Sequence, residues 1–344
     1  MNNRLLLYSI LAVLILVLPV VGYAQKDCAL TLKEAQKSYE DGLLEKILAM
    51  LGPCIKSGFI KEEKLQALRL IILTNLFEDD ALQADEHMEK LLKIEPEYVV
   101  NQAVDPIEFI NLLNSFQTNP VYTFGITGGL NFSQIRVFET FGTADIVNSP
   151  GLYSNGGVGY QVNVTIGRHI ISGLSVNLDI FFSGKKFEYT NTSDAQYYSL
   201  SLKENQTWMG FPLSLTYDFL QSKKLRPYIQ IGAAYSVLLS AKSAVVRTYD
   251  DNSSADITGA DVDVKSLRNS GNFWLSGGLG VKYRVKKGMF LVNFTYFRGM
   301  QNMVDKSARY SNPELMYKYY HIDDDFTMDN YMISVGFLYS IYQP

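Results

Sequence analysis

Two cysteines, two tryptophans and three histidines are scattered through 344 residues. At that density no metal-ligand spacing forms, and metal or cofactor chemistry built on such clusters is not expected. No sign of charge is in surplus either. The 31 basic residues face 35 acidic ones for a net charge of −4, which gives no bulk attraction to nucleic acid. Long apolar runs are nearly missing as well: the one present is LLLYSILAVLILVLPVV at 5–21, so a bundle of transmembrane helices is excluded.

That run follows Arg4 and precedes Gly22-Tyr23-Ala24, the layout of a secretory signal peptide (residues 1–24) cleaved after Ala24. A retained anchor is the alternative, opposed by Pro19 and by a length short of the ~20 residues a span needs. Lipid attachment at Cys28 is opposed by the charged Gln25-Lys26-Asp27 before it. The mature chain is expected to start near Gln25, outside the cytoplasm. There Cys28 and Cys54 are candidates for a disulfide, with two buried free thiols as the other reading.

From Leu30 to about Gln117 the apolar period is helical. Leu32, Ala35 and Tyr39 form one stripe; Leu43, Leu44, Ile47, Leu48 and Leu51 the next; then Leu65, Leu68, Ile71, Ile72 and Leu76; then Leu82, Met88, Leu91, Leu92 and Ile94. Gly42, Gly52-Pro53 and Glu78-Asp79-Asp80 punctuate them and Pro96 stops the last. In DPIEFINLL, Asp105 is a candidate N-cap, Pro106 suits the first helical position and Glu108 completes a capping box. YEDGLLEKILAML (39–51) and ALQADEHMEKLLKIEPEY (81–98) resemble tetratricopeptide-type hairpins, with Ala84 and Pro96 where that repeat places them. Two such repeats are fewer than a self-sufficient stack uses, so the helical domain, 25–119, is expected to lean on a partner or on the rest of the chain. A plug or spacer is the alternative.

After Pro120 the period becomes two. SGLSVNLDIFF (172–182) shows it plainly: Leu174, Val176, Leu178, Ile180 and Phe182 share one face, Ser175, Asn177 and Asp179 the other. Eight such segments are expected between 120 and 344, and their polar parity carries Thr127, Asn131, Gln161, Asn163, Thr165, Ser214, Asp218, Gln230, Lys282, Asn293 and Ser334. A soluble sandwich also alternates, but three features favour a barrel in a membrane. The strands reach the ~9–11 residues a tilted span requires. Long connections (136–156, 190–205, 241–271, 301–328) alternate with short ones. Aromatics cluster at both strand ends: Tyr217, Phe219, Tyr228, Tyr283, Phe290, Tyr339 and Tyr342 at the short turns, Phe132, Phe187, Phe273, Tyr296 and Tyr331 at the other rim. The expected fold is thus α+β multidomain, a small helical-hairpin (TPR-like) domain followed by an eight-stranded antiparallel transmembrane β-barrel. An even strand count puts both barrel ends on the short-turn, periplasmic side.

DPIEFINLLNSFQTNPVYTFGITGGLNFS (105–133) and the closing YMISVGFLYSIY (331–342) resemble the PorT-like outer-membrane β-barrel family of Bacteroidetes-type bacteria, in its variety with a helical-repeat domain ahead of the barrel. The chain departs from the commonest barrel ending by adding Gln343 and Pro344. The resemblance implies an outer-membrane location, and some members of that family are implicated in type IX secretion.

No catalytic set stands out. His87 and His169 are isolated; His321, beside Asp323, Asp324 and Asp325, is the one place a rim hydrolase would be sought. That acidic triplet lacks the alternating ligands and central glycine of a calcium loop and reads as a solvated charge run. Gly125–Gly129 and Gly277–Gly280 lie on strands, where small residues in a narrow barrel explain them. The last long connection is rich in tyrosine, and Tyr310, Tyr317, Tyr319 and Tyr320 are candidates for partner contact or for an interfacial belt. Eight strands leave no wide pore. The expectation is a non-enzymatic protein without cofactor, embedded in outer-membrane lipid. It would meet a periplasmic or envelope protein partner through the helical domain, or bind at the surface through its long loops.

Overall fold

The computed structural model describes residues 21–342, except 117, 119, 143–150, 194–197, 221–222, 250–253 and 286–287. Residues 5–20 of the apolar run, Gln343 and Pro344 lie outside the described residues. Two units divide at 119/120.

In the helical unit α1 (Val21–Glu40), α2 (Ile47–Lys56), α3 (Lys61–Phe77), α4 (Ala81–Ile94) and α5 (Ile107–Ser115) follow one another. Their inward stripes make two apolar clusters, one around Leu68, Ile72, Met88, Leu91 and Phe109, the other around Leu32, Ala35, Ile47, Leu51 and Ile71. Cys28 of α1 and Cys54 of α2 are joined by a disulfide. Three expectations need correction. Gly52-Pro53 does not interrupt α2, which runs through Pro53; the neighbouring Leu51 and the bonded Cys54 are buried, and packing outweighs the proline's missing donor. Leu43, Leu48 and Leu82 are exposed rather than packed. Asp105 caps nothing: Pro106 holds the N-cap position, and Asp105 instead accepts from the Asn101 amide at 2.7 Å and from Arg69 at 2.6 Å.

The second unit is a closed antiparallel meander. Its long strands are β1 (Tyr122–Glu139), β3 (Gly159–Ile171), β4 (Leu174–Ser193), β5 (Tyr198–Asp218), β6 (Leu225–Tyr249), β9 (Gly271–Val285), β10 (Gly288–Gly299) and β11 (Asp325–Ile341); β2 (Leu152–Ser154), β7 (Ile257–Thr258) and β8 (Val262–Asp263) are short additions. Each long strand pairs with the next, and β11 closes on β1 from Tyr122↔Ile341 to Glu139↔Asp325. Eight strands in a ring leave no open edge among the long strands, so backbone groups are satisfied without water.

Around the short-turn half, the apolar parity points outward. Ile126 is 63% exposed, and Val162, Leu178, Ile180, Leu213, Ile231, Leu279 and Val335 stand exposed with it. So continuous an apolar belt is covered by hydrocarbon, not water. Inside the belt the polar parity closes on itself: Lys282 pairs with Asp218 at 2.7 Å, Asn177 donates to Thr216 at 2.8 Å and Gln230 to Thr295 at 2.8 Å.

Of the expected long connections, 190–205 is mostly strand, and 241–271 begins as strand that continues to Tyr249. β4 and β5 pair out to Ser193↔Tyr198 and β5 with β6 to Tyr198↔Tyr249, so the ladder rises well past the belt. Phe187 and Tyr228, expected in the aromatic girdles, are buried and face inward. By contrast Tyr217, Phe219, Tyr283, Phe290 and Tyr339 are exposed on the outer surface.

Candidate functional site

At the long-connection end the parity reverses. On β4 the last outward apolar residue is Phe182; beyond Gly184 it is Phe187 and Tyr189 that are apolar, and they point inward while Glu188 and Thr192 face out. On β5 Leu200, Leu202 and Trp208 are inward and Phe211, Leu213 and Leu215 outward. A strand leaving hydrocarbon for water must exchange its faces, and the inward apolar residues then need a core. They find one with Trp274, Leu238, Val264, Leu267, Met303, Leu315 and Phe326, two of which, Met303 and Leu315, come from segment 300–324. The indole rings of Trp208 and Trp274 meet edge to face with centroids 6.3 Å apart.

A buried ionic cluster lies in this core. Arg268 donates to Glu204 at 2.9 and 2.5 Å and to Asp323 at 2.7 and 2.9 Å. Glu204 also accepts from Gln206 at 2.7 Å, whose carbonyl takes the Trp208 indole N–H at 2.8 Å. Burial works against the Arg268 charge, but Asp323 and Glu204 more than offset it and hold the guanidinium protonated. Burial likewise opposes the Asp323 carboxylate, yet Arg268 and the His321 hydrogen bond keep it well below the usual carboxylate range.

The acidic triplet is therefore not a solvated run: all three residues are buried, each with its own partners. Asp324 accepts from the Phe141 amide at 2.8 Å and the Tyr153 hydroxyl at 3.1 Å. Asp325 pairs with Arg309, with Lys306 at 2.8 Å, and accepts from Asn302 at 2.9 Å. Nearby, Asp329 takes Arg136 through both oxygens at 2.9 Å and the Tyr296 hydroxyl at 2.7 Å. The triplet's counter-ions come from the loop before β9 and from segment 300–324, and that of Asp329 from β1, which is why a local reading of the triplet misses them. Glu204 and Arg268 carry no sequence signal beyond an acid that follows the inward Tyr198, Leu200 and Leu202 on one parity of β5.

His321 Nε2 lies 3.3 Å from Asp323 Oδ1 and its ring packs 4.8 Å from Tyr189. Among the described residues no hydroxyl or thiol is hydrogen-bonded to it, and the cavity beside it measures about 10 Å³, at the limit for one water (~10–15 Å³). His87 is buried in the helical unit, with Nδ1 2.8 Å from the Gln83 carbonyl oxygen and 3.2 Å from Asn75 Nδ2; His169 lies at the short-turn end of β3. Among the described residues no group of three acidic, histidine or cysteine side chains is placed to hold a metal ion.

The four candidate tyrosines separate. Tyr310 and Tyr317 are exposed; Tyr320 is half exposed, and the Arg247 guanidinium lies 4.4 Å from its ring. Tyr319 is not available for contact: it is fully buried in the capping core.

Within the belt the lumen leaves a polar cavity of about 70 Å³ among Thr127, Gln161, Asn163, Asp179 and Gln230, room for a few waters. The apolar core and its ionic cluster lie beyond it toward the long connections. What this arrangement does physically is fold the connecting segments back into the barrel and occlude it.

A model of the outer membrane protein beta-barrel domain matches residues 117–305. Among solved structures the chain is similar to Neisserial surface protein A, at 11% identity over 63% of this chain and 97% of that one, with a TM-score of 0.32. It is similar to the outer membrane protease OmpT from Escherichia coli, at 9% identity, 66% and 98% coverage and a TM-score of 0.35. The attachment invasion locus protein Ail of Yersinia pestis is a third, at 11% identity, 64% and 99% coverage and a TM-score of 0.26. No curated protein matches the chain.

Proposed function

The chain belongs to the outer membrane protein beta-barrel domain family, and from that membership we propose a non-enzymatic outer-membrane protein whose barrel anchors a periplasmic helical interaction domain. It acts as a scaffold or accessory in secretion or envelope assembly, in keeping with its resemblance to PorT-like barrels that carry TPR-like helical domains. The observation that carries this reading is the occluded barrel. With about 70 Å³ of space in the belt and an apolar, ion-paired cap beyond it, the strands serve to hold the protein in the membrane rather than to conduct solute. Binding surfaces then lie on the helical unit and on the connecting segments.

The orientation is tested with the disulfide left intact. Lys93→Cys on α4 and Tyr317→Cys on the last connection are treated in intact cells with a membrane-impermeant maleimide. Position 317 reacts directly, and position 93 reacts only after the outer membrane is permeabilised; labelling of position 93 in sealed cells overturns the reading. The partner is sought by cross-linking and capture through the helical unit, and recovery of no envelope protein counts against the scaffold role.

A second reading, surface binding through the connecting segments, is favoured by the exposure of Tyr310 and Tyr317. Exposed tyrosines supply rigid contact area at little entropic cost. Surface binding that survives Tyr310→Ser with Tyr317→Ser argues against it.

A further inference from the structure

Helices α1 and α3 end alike. At the first, the Leu43 amide donates to the Ser38 carbonyl at 2.8 Å and the Gly42 amide to Tyr39 at 3.1 Å, with Gly42 at φ 77°. At the second, the Asp80 amide donates to Asn75 at 2.9 Å and the Asp79 amide to Leu76 at 3.3 Å, with Asp79 at φ 59°. Both are Schellman turns, each closed by a residue in the left-handed region. A groove of about 450 Å³ lies between them, lined by Leu43, Leu44, Glu45, Lys46, Phe77 and Glu78. Phe77 is 76% exposed and Leu43 51%, and neither joins the apolar clusters of the unit. The two turns, 40–46 and 77–80, carry six acidic residues, Glu40, Asp41, Glu45, Glu78, Asp79 and Asp80, against one lysine, Lys46.

We propose that this groove docks a basic peptide segment of an envelope protein, one large apolar side chain seated on Leu43, Leu44 and Phe77 and flanking lysines or arginines set against the acidic rim. The inference rests on the helical unit being an interaction domain and specifies the chemistry of its partner. The floor calls for an apolar anchor, because only burial of such a group removes Phe77 and Leu43 from water. The rim repels acidic segments and anionic lipid headgroups, so it selects a cationic partner. Backbone hydrogen bonds already fix both turns, so docking orders little of the groove.

The test uses the full-length protein in phosphatidylcholine nanodiscs. The probe is a fluorescent amidated peptide of about twelve residues, a central Phe-Leu pair flanked by lysines. Binding is expected to saturate above that of empty discs and to weaken as salt rises from about 50 to about 500 mM. It should fall by about tenfold or more with Phe77→Ser, and likewise with Glu45→Lys plus Glu78→Lys; Glu108→Lys on α5 should leave it unchanged. Equal affinity for Phe77→Ser, equal binding of a peptide with glutamates in place of the lysines, or no binding at all overturns the groove. In cells, partner capture that is equal for wild type and Phe77→Ser overturns the groove and leaves the interaction domain standing. Capture by neither removes the interaction domain itself.

Discussion

Arg268 and Glu204 meet across 64 residues of sequence through two hydrogen bonds, Nε to Oε1 at 2.9 Å and Nη2 to Oε2 at 2.5 Å. The same guanidinium donates from Nη1 and Nη2 to Asp323, so one cation joins β5, the loop before β9 and the segment before β11. Arg268→Ala leaves two carboxylates buried without a counter-charge and is expected to lower stability by about 3–5 kcal/mol. Urea unfolding in lipid vesicles measures this. A loss below about 1 kcal/mol would mean that the cap is held by its apolar contacts instead.

Asp323 and Asp324 are neighbours that titrate in opposite senses. For Asp323 burial is outweighed by Arg268 and His321 and the carboxyl is held low; for Asp324 burial dominates the hydrogen bonds from Phe141 and Tyr153 and pushes the carboxyl up. A depressed folded value contributes stability that is present above the unfolded value of about 3.9 and lost as pH falls through the folded one. A raised folded value contributes stability below about 3.9 that is lost as pH rises through it. Asp323→Asn should therefore destabilise at pH 7, its gap to wild type narrowing only below about pH 4. Asp324→Asn should gain on wild type as pH rises from about 4 to 7. Melting temperatures of both variants across this range check the pair, and parallel behaviour would remove the electrostatic account.

How far the fold could be read from the residues depends on where one looks. Leu174 to Phe182 alternate so regularly that strand and face follow from period two, while lipid contact follows only when strand length, alternating connections and aromatic rims are added. Past Gly184 the alternation continues with its sense inverted, since Phe187 and Tyr189 now seek the interior, and a reader holding one parity takes the segment for a loop. The ionic cap was less legible still. Asp323, Asp324 and Asp325 resemble surface charge until Arg268, Arg309 and Tyr153 are brought to them from distant parts of the barrel unit. In the helical unit Gly42 announces its turn, while Asp79 adopts the same left-handed geometry without a glycine to mark it.

The inversion of parity is itself testable on one strand. Ile180 and Thr192 both face outward from β4, one in the belt and one beyond it. Ile180→Lys should cost about 2–4 kcal/mol in the bilayer, while Thr192→Lys should change stability by no more than about 0.5 kcal/mol. Unfolding of the two variants in vesicles compares them directly, and equal costs would mean that the belt is drawn at the wrong height.

Bonding Cys28 to Cys54 closes a loop with a sequence separation of 26 residues, for which chain entropy gives roughly 3.5 kcal/mol. Reduction, or Cys28→Ser with Cys54→Ser, should lower the thermal transition of the helical unit and leave the barrel transition in place. Far-ultraviolet circular dichroism separates the two, helical signal being lost first. An unchanged helical transition would show that the clusters around Leu68 and Ile47 suffice without the cross-link.

Conduction offers the most direct check on the occluded barrel. An ion crossing it would have to pass both the polar cavity of about 70 Å³ in the belt and the apolar core around Trp208 and Trp274, where a bare charge is strongly disfavoured. The protein reconstituted in planar bilayers should therefore show no steady single-channel conductance. Trp208→Ala with Trp274→Ala removes two fully buried rings, at about 3–5 kcal/mol each, and should loosen the cap enough to admit brief openings. Steady conductance from the wild-type protein would contradict the anchoring role and return the barrel to the class of pores.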